Sequence, residues 1–182
     1  MNESPTVETA MENAMQFITA LPEEGLEDGI IPKLEVLSEK EDGEFSCDMF
    51  AVVSAKEDLS EIKHQVFYEL GQFIKKHNKK PLVITMINEA WLSHDIDCEA
   101  PYKDPDRKEV ITVSSLDADG KSLVAFYPVY RDIFDKMHLE GEPVKMSGGE
   151  NNLLETFFEG ADCPVKSVVF VEKPRRRGIF NS

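Results

Sequence analysis

Val7, Ala10, Met11, Ala14, Phe17, Ile18 and Leu21 recur at three- and four-residue spacing, which predicts an amphipathic helix near the start of the chain. Ser4 and Pro5 suit its opening, because a hydroxyl can cap and proline is tolerated at the first helical position. Pro22 ends the pattern, and Met11 and Met15 read as core fillers. After the charged connection PEEGLEDG the period changes. IIPKLEVLSEK and EFSCDMFAVVS read as two strands, joined as an antiparallel hairpin through an acidic turn containing Gly43. Pro32 puts the first strand at an edge or just before its start.

The clearest helical pattern spans residues 58–78. Leu59, Ile62, Val66, Leu70, Phe73 and Ile74 form its apolar stripe, with Phe67 beside it. Lys75, Lys76 and His77 complement the C-terminal end of the helix dipole, Asn78 suits a left-handed cap, and Pro81 prevents continuation. His64 and His77 read as surface residues of this helix. Three strand-like runs follow: LVITMINEAW, KEVITVSSL and SLVAFYPVY, the last two joined by a DADG turn. SLVAFYPVY is apolar on both faces and therefore central, with Pro128 where no ladder hydrogen bond is needed. RDIFDKMHL reads as a short helix, MSGGENN as a flexible loop, LLETFFEG as a helical turn and KSVVFVEK as a last strand.

Consecutive hairpins point to an α+β fold with a mainly antiparallel sheet of five or six strands, packed on one long helix that covers one face. The length of 182 residues suits a single domain. Its expected span is 1–172, including the N-terminal helix, with 173–182 as a basic tail.

Charge refines this picture. The net charge is −15, and the first sixty residues carry fifteen acids against Lys33, Lys40 and Lys56. Such a surface repels phosphates, so nucleic acid is not an expected partner except for the tail, where Lys173, Arg175, Arg176 and Arg177 cluster. No apolar run approaches the ~20 residues of a membrane span, and the N-terminus lacks the basic region of a signal peptide. Cys47, Cys98 and Cys163 are widely spaced without a CxxC pair, which argues against a zinc ribbon and fits a reducing cytoplasm. No nucleotide loop, HExxH, GxSxG or EF-hand pattern occurs, so no cofactor is expected.

Ionisable groups concentrate between Glu89 and Glu109. His94, Asp95 and Asp97, with Cys98, Glu99, Asp104 and Asp106 nearby, offer hard and borderline ligands to a divalent metal, although the spacing matches no known ligand template and acidic loops are commonly just solvated. Glu89 closes one strand and Arg107 opens the next. If those strands pair, the two approach at one end of the sheet, either as an ion pair pinning the loop ends or as a clamp for a carboxylate or phosphate. Trp91 can stack on a ring or anchor its loop, and Glu109 completes the candidate ligand-binding set of Glu89, Trp91, Arg107 and Glu109.

EAWLS, PDRKEVITVSS, a DG turn and YPVYRD, all within residues 81–132, resemble a recurring pattern in hypothetical proteins of bacteria and their phages. The resemblance implies a shared sheet and loop and carries over no catalytic residue. The leading expectation is a cytoplasmic accessory or protein-interaction protein without catalytic activity, of phage or mobile-element origin. The alternative is an enzyme or small-ligand binder using the loop between Glu89 and Glu109, with or without a divalent metal.

Overall fold

The computed structural model describes residues 4–22, 25–27, 29–52, 63–93, 103–148 and 152–163. Their elements are α1 (Val7–Thr19), β1 (Lys33–Lys40), β2 (Phe45–Ala51), α2 (Lys63–Lys76), β3 (Lys79–Leu92), β4 (Lys108–Asp117), β5 (Ser122–Arg131), β6 (Met137–Leu139), β7 (Val144–Ser147) and α3 (Asn152–Gly160). The expected strand of KSVVFVEK, the basic tail and the first residues of the expected 58–78 helix lie outside the described residues.

The sheet is antiparallel throughout, in the order β2-β1-β3-β4-β5-β6, with β7 also on the outer side of β5. The α+β class and the antiparallel sheet expected from the hydrophobic pattern are both present. The helical layer differs from the expectation of one long helix covering one face. α1 packs on one face, where Met11, Ala14 and Ile18 meet Ile87, Ile111, Val113, Ala125 and Tyr127. α2 and α3 pack together on the other, where Phe67, Ile74, Leu154, Phe157 and Phe158 meet Leu34, Val36, Ile84 and Leu116. With helices on both sides, β4 is buried from Val110 to Leu116, a continuous run rather than the alternation of a half-exposed sheet.

Proline positions follow from missing donors. Pro81 lies within β3, and the β1–β3 register shifts there, so that Leu37 faces Val83 but Ser38 faces Pro81. Such a bulge removes the need for one ladder bond. Pro128 lies between the two short partners of β5, since β7 pairs as far as Phe126 and β6 begins opposite Val129. Its carbonyl accepts from Glu140 on that side, so its absent N–H would have pointed into the gap. β5 is thus paired on both sides, but β3 and β4, not β5, hold the centre of the sheet where its apolar pattern places it.

Four local expectations are corrected. The cap of α1 is Thr6, whose Oγ1 accepts from the Thr9 amide at 3.3 Å, two residues beyond Ser4. Residues 131–139 form no helix. Asp132 accepts at Oδ1 from the Phe134 and Lys136 amides, Asp135 takes a positive φ, and the chain turns back as the β5–β6 hairpin. Part of MSGGENN is not loop, because Val144–Ser147 pairs with β5. Phe73 is 47% exposed, whereas Phe67, Gly71 and Ile74 form the buried side of α2. The apolar arc of α2 is wider than the face its neighbours cover, and Gly71 determines its rotation. A Cβ there would overlap the Phe157 carbonyl oxygen and lie 2.7 Å from the Ala161 nitrogen, while one on Gly160 would overlap the Tyr68 carbonyl. α2 and α3 therefore touch backbone to backbone.

Candidate functional site

The β3–β4 register sets Trp91 opposite Glu109 and Glu89 opposite Ile111. Because strand side chains alternate, Glu89, Trp91 and Glu109 share the α1 face with Ile87 and Ile111, beyond the end of the α1-covered core. β5 brings Arg131 to the same place. Its guanidinium donates from Nη2 to Glu109 Oε1 at 2.8 Å and from Nε to Glu109 Oε2 at 3.0 Å. It also lies 3.7 Å from Glu89 and donates to the Asp135 carbonyl at 3.2 Å. The Glu109 hydrogen bonds hold the Arg131 pKa above its ordinary value, against a smaller opposing effect of burial.

Glu89 has a second partner. The Ile30 amide donates to its Oε1, and Gly29 lies so close that a Cβ would overlap that oxygen. Gly29 also has φ +69°, a region glycine enters without cost. Glu89 therefore braces the connection between α1 and β1 against the end of the sheet.

The expected approach of Glu89 to Arg107 does not occur. β3 and β4 are neighbours as anticipated, but Arg107 precedes Glu109 by two residues. It therefore sits four residues along from the Glu89 position, about 13 Å at strand rise. Its guanidinium instead stacks 4.6 Å from the Trp91 ring centre and donates to the Asp104 carbonyl at 3.3 Å. Asp104 is buried and accepts from Ser93 Oγ and the Asp106 amide. The four proposed binding residues thus lie on one end of the sheet, but each is engaged by a protein partner. Arg131, part of the YPVYRD run but outside the expected binding set, is the residue that joins the two glutamates. The metal candidates His94, Asp95 and Asp97 lie outside the described residues. Among the described residues no group of three His, Cys, Asp or Glu could hold a metal ion.

Removing the arginine should expose this dependence. Arg131→Gln leaves two partly buried carboxylates facing one another without a cation. The expected loss is about 1.5–3 kcal/mol in urea denaturation, the range for hydrogen bonds to charged groups. It should exceed that of Arg107→Gln, whose partners are a ring and a carbonyl. Equal losses would show that the glutamate pair does not depend on Arg131.

The hairpin that carries Arg131 is itself well ordered by hydrogen bonds. The Lys136 amide is the main cause of an Asp132 pKa below the ordinary aspartate value; burial opposes it, and the Phe134 amide and His138 add to the lowering. A depressed carboxylate contributes its stabilisation in full above the ordinary aspartate range. That contribution disappears only as pH falls through the lower, folded-state value. His138 lies 3.1 Å from Asp132 Oδ2 and stacks on Tyr130 at 5.1 Å. Tyr130, His138, Met137, Leu26, Ile111 and Thr19 line a cleft of about 320 Å³.

A larger groove of about 480 Å³ opens where α1 stops short of the β1–β2 end of the sheet. Phe17 of α1 and Leu21 just beyond its end form one wall, Leu26 and Ile31 come from the connection, and Met49 and Ala51 form its β2 side. Phe17 is on the flank of the α1 stripe and half exposed, Ile31 is 64% exposed and Met49 66%. Lys33 reaches over the Phe17 ring at 4.4 Å and pairs with Glu35 at 2.7 Å, so one of the few charges near the groove is neutralised locally. β2 is the edge strand of the path. Sequence reasoning missed this groove, because Phe17, Ile31 and Met49 come from three separate segments, each apolar for an ordinary reason.

No helix among the described residues is long and apolar enough to cross a membrane. No family model matches this chain, no curated protein matches it, and no solved structure matches it.

Proposed function

We propose that this chain is a protein-interaction or accessory protein that receives an apolar segment in the groove between α1 and the β1–β2 end of the sheet. The carrying observation is the contiguous exposure of Phe17, Ile31 and Met49 around one concavity. Single exposed apolar residues are ordinary on a protein surface, but apolar side chains grouped around a groove favour binding. The alternative of a ligand site between Glu89 and Glu109 is less well supported. Arg131, Ile30 and Trp91 already occupy the groups such a site would use. In this reading those residues shape the docking groove, since Glu89 holds the Gly29–Ile30 segment that forms part of its wall.

A photo-crosslinking residue placed at Met49 or Ile31 should yield a discrete protein adduct. The same residue at Gln72, on the exposed side of α2, should yield none. Met49→Glu should remove the adduct formed from position 31 while changing folding stability by less than about 0.5 kcal/mol, as for surface substitutions generally. Equal labelling from position 72, or an adduct indifferent to Met49→Glu, would sink the docking reading.

A further inference from the structure

We infer that the segment received by the groove is the β5–β6 hairpin tip, Ile133 and Phe134, of a second copy of this chain, the two copies exchanging tips about a two-fold axis. The inference rests on the groove being a docking site. Its independent observation is the tip itself. Ile133 is 92% exposed and Phe134 75%, at a turn position where small and polar residues are the usual choice. The tip is stiff. The Asp132 amide donates to the Lys136 carbonyl and the Asp135 amide to the Asp132 carbonyl, both at 3.0 Å. Asp132 Oδ1 accepts from the Phe134 amide at 2.8 Å and the Lys136 amide at 3.0 Å. A tip already fixed in shape loses little freedom on docking.

Shape and position agree. A cavity of about 150 Å³ holds a benzene ring, so a groove of about 480 Å³ admits a phenyl ring and a branched aliphatic chain together. Tip and groove adjoin within one molecule. Leu26, in the groove wall, exchanges two backbone hydrogen bonds with Met137, at 3.0 and 2.9 Å, and Lys136 lies 3.7 Å from Glu27. The exposure of Ile133 and Phe134 shows that they do not fill their own groove. Projection and recess lie side by side, so a two-fold operation can pair both at once and close the assembly.

Charge sets the strength and the salt response. Two chains of −15 each repel, so the dimer is weak and tightens as salt screens that repulsion. A basic external segment in the same groove would respond in the opposite sense.

The test is sedimentation of the full chain over a concentration series at low and high salt. The expected result is a monomer–dimer equilibrium that shifts toward dimer with salt. Ile133→Ser with Phe134→Ser should weaken dimerisation about tenfold or more, equivalent to 1.4 kcal/mol or more, and Met49→Glu should do the same, with unfolding curves unchanged for both. Mixing the two variants restores one tip-in-groove contact, so a labelled heterodimer should form where neither variant pairs with itself. Four results would overturn the assignment: a chain monomeric throughout, a dimer indifferent to the tip, no rescue on mixing, or a dimer lost on deleting residues 173–182. If crosslinking from Met49 to another protein persists in any of these cases, the docking reading stands and only its occupant was misassigned.

Discussion

Gly71→Ala is expected to destabilise the protein by about 3 kcal/mol, the upper part of the range for overpacking, although alanine is the better helix former. Two effects compete. Alanine in place of glycine inside a helix is favourable by about 0.8–1 kcal/mol. Against it, the added Cβ would overlap the Phe157 carbonyl oxygen and approach the Ala161 nitrogen to 2.7 Å. Both obstacles are backbone atoms of the α3 end and cannot rotate aside, so the overlap is relieved only if the helices separate. Separation would draw Leu154, Phe157 and Phe158 away from Phe67 and Ile74. The steric term should win. Gly160→Ala should behave similarly, because its Cβ would press on the Tyr68 backbone from the opposite side of the same crossing. Urea denaturation measures both, with Gln72→Ala on the exposed side of α2 as the control expected to change little. A Gly71→Ala protein as stable as the parent would mean that the two helices do not cross as described.

The second large effect separates two phenylalanines on one helix. Phe67 is buried in the core cluster that holds Leu34, Ile84, Leu116 and Phe157, and Phe67→Ala should cost about 3–5 kcal/mol through lost transfer energy and the remaining cavity. That is a large part of the 5–15 kcal/mol typical of a folded domain. Phe73→Ala should cost much less. Its ring is half exposed and meets Phe50 edge-on at 6.1 Å and His77 at 4.2 Å, contacts worth about 0.5–1.5 kcal/mol each. The apolar stripe taken from sequence alone predicts the large loss at Phe73. Chemical denaturation of the two variants therefore distinguishes the helix rotation seen here from the one the pattern implies.

The difference between pattern and structure at α2 has a general cause. Periodicity identifies which residues are apolar. It does not say how much of the apolar arc a neighbour covers. Leu70 and Ile74 face inward as the stripe requires, yet the centre of contact is Gly71, a residue without a side chain and hence without weight in any hydrophobic pattern. The same limit applies at the end of the sheet. Glu89, Trp91, Arg107 and Glu109 stand out because they are chemically distinctive residues at strand ends, and they do lie together. Their pairing depends on a third strand, since Arg131 of β5 reaches Glu109 and Glu89 while Arg107 turns onto Trp91.

The pattern along the chain was enough to establish the class of fold, the antiparallel pairing of β1 with β2 and of β4 with β5, and the left-handed end of α2 at Asn78, where φ is +56°. Those features follow from local signals: alternation, turn residues, caps and prolines act within a few positions of one another. Tertiary packing placed helices on both faces, turned Gly71 of α2 toward α3 while leaving Phe73 half exposed, and made residues 131–139 a hairpin rather than a helix. It also brought Phe17, Ile31 and Met49 to one groove and left Ile133 and Phe134 exposed at a stiff tip. These depend on contacts between segments far apart in the chain, where burial and backbone approach outweigh the preferences of any single segment.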